Sequence, residues 1–596
     1  MPARLRRFVT RDRLVASGIF AFTLLVFLFS HVHQVTDSRY LMLVSESLVS
    51  HRSFTLDAYN LPRYEPAWGG YYFRDGPVYQ IEVADGHFYH HLPVGTPVLS
   101  APYVAVLNLF GVSAANRDGT YNEQGEVRIE ASLAAMLMAL LAAVFYFTAR
   151  LLLPVKWSVV VALGGALGTQ AYSTASRALW SETWGILLIG IAIFMLLRHE
   201  KTRRPLNAIM LASILAWSYF VRPTFAIHIA ALTIYIFIYH RRVFVKYALT
   251  GAAWAASFVI YSWSHFRHLV PSYYRASRLT FNNFSIALAG NLVSPARGLF
   301  VYVPALLFVA WLLLRYRRHL QQRPLVWMSL GIIFVQVIAV SGFDHWWGGH
   351  SFGARMTTGL VPWFVLLGIL GVDAMLRARE RETKQSRFAW QVQTGTGALL
   401  LLTSVVINTM GAMAHETWLW NIRPQEIDRH PERLWDWRQP QFLAKYLPYP
   451  PPRNFPAITN ERVEMNAPAA DDFLWFGWLR DADQQVWTDS KAALVFSATP
   501  DRDYLLRLNV AAFIVPGKLN QQRLSLRLND QPLSTLVLAN AQPQIYEVNL
   551  PQRFLRTQNV LKFEVPDAQS PQKLGAGDDP RARGLNVRWI EFLPGN

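Results

Sequence analysis

Eleven apolar stretches, each close to the length that crosses a bilayer, divide the chain up to about residue 413 and leave little room for any other architecture. They lie near 14–33, 129–150, 157–176, 182–198, 206–221, 223–239, 247–265, 299–314, 324–342, 356–376 and 388–413. With 52% hydrophobic and 14% aromatic residues, the composition exceeds what one soluble core needs and fits a polytopic membrane protein. The net charge of +18 does not point to nucleic acid, because Lys and Arg sit in short clusters between apolar runs. No cysteine occurs, which excludes disulfide frameworks and thiolate metal sites.

Those basic clusters also orient the chain. Arg4, Arg6, Arg7, Arg11 and Arg13 precede the first run, which has no cleavage signal after it and reads as a retained signal anchor. An inside N-terminus then puts the clusters at 198–204, 240–246, 315–323 and 377–387 in the cytoplasm together. A twelfth apolar stretch, Pro93 to Val112, would reverse that agreement if it crossed. Its Pro93, Gly95, Pro97 and Pro102 suit a juxtamembrane or re-entrant helix on the outer face instead. Eleven spans leave the C-terminus outside, together with segments 34–128, 177–182, 266–298 and 342–355, which carry Asp, Glu, His, Trp and Tyr.

Three domains are expected: a membrane domain over 1–415 with a first outer loop at 34–128, a Trp- and Pro-rich linker over 416–471, and a β domain over 472–596. In the last, Leu494 and Phe496, then Leu506, Leu508 and Val510, then Leu524, Leu526 and Leu528 alternate with polar neighbours. Leu561, Phe563 and Val565 do the same, as do Val587 and Trp589, and Asn529-Asp530 marks a turn. The pattern predicts an antiparallel sandwich or jelly roll. Trp475, Trp478 and Trp487 are candidates for stacking on sugar rings, or for simple packing.

Candidate chemistry lies in the outer segments. Asp37, in Thr36-Asp37-Ser38-Arg39-Tyr40, falls just beyond the first span and before a short amphipathic helix lying on the bilayer, so it reads either as a catalytic acid or as that helix's cap. Residues 79–89 read as a hairpin turning at Asp85-Gly86, which delivers His90 and His91, two groups suited to phosphate or metal. Arg177, Arg222, Arg297 and Arg355 stand near outer ends of spans, where a guanidinium needs a partner and matches phosphate bidentately. His345, Trp346, Trp347 and His350, with two glycines between, supply ring donors and aromatic faces for sugar or prenyl binding.

These residues carry a resemblance. Asp37-Ser38-Arg39-Tyr40 resembles the acidic motif in the first outer loop of the GT-C superfamily, the polyprenyl-phosphate-sugar-dependent glycosyltransferases that include aminoarabinose transferases and protein O-mannosyltransferases. His91-Leu92-Pro93-Val94-Gly95-Thr96-Pro97, before Leu109-Phe110-Gly111, resembles the family's second juxtamembrane segment, with histidine near the place of a lysine. Ser38 stands where many relatives carry a second acid. The likeness covers roughly residues 14–415 and implies a GT-C-like fold with a C-terminal β domain appended.

The resemblance further implies Asp37 as catalytic base or orienting group. His91, Arg222, Arg297 and Arg355 would meet the donor phosphate, and Arg39, Tyr40, His90, His345, Trp346, Trp347 and His350 would contact substrate. The expected activity is inverting transfer of a hexosyl or pentosyl group from a polyprenyl-phosphate donor to a hydroxyl of a glycan, lipid-linked saccharide or protein. It would take place on the periplasmic face of a bacterial inner membrane, in envelope glycan or glycoconjugate synthesis. No cofactor is required, and a divalent metal remains open. No glycine loop for nucleotides is present, which fits a lipid donor. The rival readings are a flippase or transporter for lipid-linked sugars and a non-catalytic glycan-assembly protein.

Overall fold

The computed structural model describes residues 3–61, 80–275, 278–381, 387–423, 425–452, 455–459, 462–481, 485–577, 579 and 581–595. Two compact units emerge, one of Met1–Trp418 with Glu432–Lys445 and one of Leu419–Pro431 with Tyr446–Asn596. The expected linker at 416–471 is thus shared between them.

In the first unit a helix stands at each expected span. These are α1 (Ala3–Leu28), then after two short helices α2 (Leu41–Ser50) and α3 (Gly95–Leu109), α4 (Glu123–Arg150), α5 (Val155–Leu167), α6 (Ser181–Thr202), α7 (Ala208–Val221), α8 (Ala226–Tyr239) and α9 (Arg241–Phe266). The series continues through α10 (Phe284–Val293), α11 (Leu299–Tyr302), α12 (Ala305–Arg315), α13 (Arg323–Ser341), α14 (Val361–Arg381) and α15 (Arg387–Met413). Six of the described helices are long and apolar enough to cross a membrane by length and composition, and further apolar helices run to 10–17 residues. On α9 and α15, Leu249, Ile260, Trp263, Leu399, Leu402 and Val406 face outward, an apolar exterior of the kind lipid covers.

Charge is sorted along the bundle. Glu200, near the end of α6, pairs with His240 before α9, and neighbouring Lys201 donates to Gln321 before α13. Basic connections therefore gather at one end. Arg355 precedes α14 while Arg377 lies near its other terminus, so the helix from Val361 to Leu376, about 24 Å, separates them.

Two expectations about the first outer loop change. Positions 41–47 of α2 are all buried, because the helix packs between α3 and α4, with Ser45 Oγ donating to the Pro97 carbonyl at 2.9 Å; it does not lie with one face free. Nor does Asp37 cap α2: the residue before the helix is Tyr40, at φ 69°, and no side chain of its own caps the turn. The hairpin is as expected, β1 (Ile81–Ala84) against β2 (His87–His90), with Asp85 and Gly86 at positive φ; Tyr79 lies outside the described residues.

The second unit is an antiparallel β-sandwich of β3 (Val463–Glu464), β4 (Leu474–Arg480), β5 (Val486–Ser497), β6 (Tyr504–Ala512), β7 (Gln522–Leu528), β8 (Gln531–Leu538), β9 (Gln544–Leu550), β10 (Gln558–Glu564) and β11 (Leu585–Pro594). Strand order is β8-β7-β10-β5-β11-β6-β9, and the single pair Asn586 and Trp487 joins β5 to β11. The alternating residues fill the core as expected, except at Trp589. A bulge between Val587 and Trp589 shifts the register, so Ile590 and Phe592 continue the core while Trp589 packs under Arg462. Trp475, Trp478 and Trp487 are half-buried and their indole N–H groups donate to Pro450, Ala493 and Asp481, so they are packing residues more than open stacking platforms.

Candidate active site

Asp37 sits in the turn between α1 and α2, and its Oδ2 accepts from Arg355 Nη2 at 2.8 Å. The Asp37 side chain keeps 34% of its surface exposed, against 10% for Arg355, so the pair has one accessible member. Arg355 opens a 3-10 turn, Arg355–Leu360, that leads into α14. Its Nη1 donates to the Gly348 carbonyl at 2.8 Å, its guanidinium lies 3.6 Å from the Trp180 ring centroid, and its buried Nε has no protein partner. Gly348 and Gly349 both take positive φ, 71° and 61°, which lets the 343–350 loop turn its carbonyls to the cations.

A second ion pair stands beside the first. Arg222, at the end of α7, meets Glu182 Oε1 at 2.9 Å and Ser181 Oγ at 2.8 Å in the first turn of α6, and Glu182 lies close enough to Arg355 to act on it electrostatically. Arg222 is therefore a buried cation that already has its acid, one step behind Arg355.

Carboxylates that sequence reading missed hold the Asp37 turn in place. Glu130 Oε2 accepts from Ser38 Oγ at 2.8 Å and from Leu179 N at 3.2 Å. One helical turn earlier, Glu126 accepts from the backbone N–H groups of Tyr40 and Met42 at 2.8 and 2.7 Å and from the Tyr121 hydroxyl. Both glutamates are fully buried. Arg39 pairs with Glu123, which raises its pKa although burial opposes the charge, and Tyr40 packs its ring on Tyr121. Arg39 and Tyr40 thus brace the turn. The available signal was acids spaced i, i+4 on an otherwise apolar helix.

The two histidines part company. His90 Nε2 donates to the Arg39 carbonyl at 2.9 Å and its Nδ1 accepts from Leu92 N at 3.0 Å, which fixes a neutral tautomer. Burial lowers its pKa to about 4, against the opposing bond to Arg39. His91 instead lies between Glu82, 3.3 Å from Nδ1, and Arg278, whose Nη2 is 2.7 Å from Nε2. Burial opposes ionisation of Glu82, but hydrogen bonds from His91 and Ser272 outweigh it and hold the carboxyl below its ordinary range. Glu82, His90, His91, Tyr261 and Tyr274 line a small open cleft.

Arg297 and Arg177 are structural by their contacts. Arg297 is 1% exposed and donates to the carbonyls of Trp347, Gly349 and Ala296 and to Gln441 Oε1, so the phosphate role expected for it meets a guanidinium already enclosed by protein acceptors. Arg177 donates to the Phe27 and Ser30 carbonyls at the end of α1. Trp346 and Trp347 are buried, Trp346 against Gly290, where a Cβ would overlap its ring. That packing, and not substrate contact, accounts for them. His345 is exposed beside Trp347, and half-buried His350 faces Trp418. Among the described residues, no group of three acid or histidine ligand atoms includes Asp37, His90 or His91.

No family profile and no curated protein matches the chain. Among solved structures it is similar to an oligosaccharyltransferase from Archaeoglobus fulgidus, at 11% identity and TM-score 0.40, over 74% of this chain and 61% of that one. Another is the arabinosyltransferase EmbB from Mycobacterium smegmatis, at 13% identity and TM-score 0.37, over 100% of this chain and 65% of that one. A family 35 carbohydrate-binding module from an environmental isolate matches at 17% identity and TM-score 0.15, over 23% of this chain and 93% of the module. The chain thus spans less than two thirds of the length of either transferase. All three scores lie below 0.5, so the functional reading rests on the side chains themselves.

Proposed function

We propose that the protein is a membrane glycosyltransferase that moves a sugar from a polyprenyl-phosphate donor to an acceptor hydroxyl. The observation that carries this reading is a one-third-exposed carboxylate, Asp37, paired with a nearly buried guanidinium that rests on an aromatic ring. A phosphate entering this corner competes with Asp37 for Arg355, whose planar fork suits it. Asp37 then exchanges a cation for the acceptor hydroxyl.

The acceptor oxygen attacks the anomeric carbon and its proton passes to the Asp37 carboxylate. The bond from that carbon to the phosphate oxygen breaks, and polyprenyl phosphate departs with the electron pair. One displacement inverts the anomeric centre. Arg355 meets the departing charge, with the His91–Arg278 pair as a second contact for phosphate. The basic connections at the far end of the bundle orient this corner to the periplasmic side of a bacterial inner membrane.

The test is sugar transfer by purified full-length protein from a panel of labelled prenyl-phosphate sugars. Wild type should consume a donor and Asp37→Asn should not. Wild-type transfer by the Asn variant would sink the reading, as would passage of lipid-linked sugar across vesicles with no donor consumed.

A further inference from the structure

We infer that Glu126 and Glu130 are positioning residues which set the geometry of Asp37 from inside the bundle. The kinetic part of this inference rests on the proposed transfer reaction, while its conformational part does not.

An aspartate on a turn of five residues would ordinarily sample several directions, because loop backbone has few neighbours to restrain it. Here the restraint comes from α4. Glu130 takes the hydroxyl of Ser38, the residue after Asp37, and ties it to Leu179 N, next to the Trp180 that carries Arg355. One carboxylate therefore links both members of the Asp37–Arg355 pair. Glu126 accepts the N–H groups of Tyr40 and Met42, two donors at the buried start of α2 that no side chain of that helix satisfies. It also anchors Tyr40 in a left-handed conformation, φ 69°, that a tyrosine does not adopt without compensation.

Fully buried acids are costly, and part of that cost is offset here by donors from the turn, from Tyr121 and from Leu179, while Glu130 Oε1 has no partner among the described residues. Glu46 shows the same device in a part of the first outer loop without Asp37, accepting from Ser113 Oγ and Ala114 N. The α4 pair differs in what it aims. Because α4 is a long helix packed on α1, α5 and α6, the two acids transmit the position of a rigid element to the reactive turn.

The absence of native cysteine allows a direct measurement. Thr36→Cys carries a nitroxide in full-length protein in lipid nanodiscs, and its spectrum is compared in otherwise wild-type, Glu130→Gln and Glu130→Leu backgrounds. The Leu variant should broaden the population of turn conformations and the Gln variant, which keeps an acceptor for Ser38, should not. An unchanged spectrum in the Leu variant overturns the inference whatever the reaction turns out to be.

In turnover, Glu130→Leu should lower kcat by about 10- to 100-fold with donor KM little changed, while Glu130→Gln stays within about fivefold of wild type. In an Asp37→Asn background, Glu130→Leu should cost nothing further, since it acts through Asp37. Additive losses, or a fall in thermal stability with kcat unchanged in the folded fraction, would make Glu130 a structural residue only. If wild type shows no transfer while the nitroxide responds as expected, the reaction is misread and the positioning role stands.

Discussion

Arg297 and Arg355 clamp the same loop from two sides, yet they are in different chemical situations. Arg297 gives donors to three backbone carbonyls and to Gln441 Oε1 and, at 1% exposure, is closed to anything new. Arg355 gives the loop only one bond, to Gly348, and puts another donor on a carboxylate that solvent can reach. The contrast separates a cation that holds structure from one that can change partner. Local sequence does not tell them apart, since both follow an alanine and lie beside a glycine within a few residues.

The comparison breaks first at the carboxylate. Asp37→Asn keeps the shape of the corner and removes the proton acceptor, so kcat should fall by about 10²- to 10⁴-fold, with thermal stability near wild type. Transfer that survives at the wild-type rate would reduce the Arg355 side to the same status as the Arg297 side.

Next in size is the exchange of the two arginines. Arg297→Met removes the guanidinium donors to three backbone carbonyls and to Gln441 Oε1, and should destabilise the helical unit by about 3 to 5 kcal/mol. Its folded fraction, measured by thermal melting and size exclusion, should drop while kcat/KM per folded molecule holds. Arg355→Lys keeps charge but loses the fork and the flat stacking on Trp180, and should lower kcat/KM by about 10- to 100-fold with a modest change in melting temperature. If both variants lose stability equally and neither loses kcat/KM selectively, the distinction fails.

Sequence made the architecture plain wherever periodicity is local. Apolar runs marked a helix at every expected span but not α10, which lies in the 266–298 segment, and the alternating residues named from Leu494 to Val565 all fall in the sandwich core. It failed at Trp589 because a bulge is set by cross-strand pairing, which no window along one strand contains. The site was legible by type and not by pairing. Asp37 and Arg355 stood out as polar groups near span ends, but they lie 318 residues apart and only tertiary packing decides that Arg355, and not Arg297, meets the acid. Glu126 lay in the segment 34–128, read as loop, and Glu130 at the edge of the 129–150 run, where the apolar residues set the reading. Trp346 shows the reverse, since Trp in such a loop suggests sugar and only the fold shows that Gly290 makes room for its ring.

A further consequence reaches the Asp37 turn through a histidine, and its effect is absent at neutral pH. His90 brackets the turn from the hairpin side, donating to the Arg39 carbonyl and accepting from Leu92 N, and burial lowers its pKa to about 4. A histidine with folded pKa below its unfolded value near 6.5 binds its proton more readily when unfolded, so stability rises with pH across that window. Nothing is lost above pH 6.5; between there and pH 4 the native state should lose up to about 3 kcal/mol from this group. His90→Gln, which does not titrate, should flatten that part of the curve in denaturant unfolding at pH 7, 5.5 and 4. Parallel curves for the two proteins would mean that burial does not hold the folded ring below its ordinary pKa. The bracket would then be set by packing of the hairpin on Tyr261 and Phe266, and the Asp37 turn would owe its position to α4 alone.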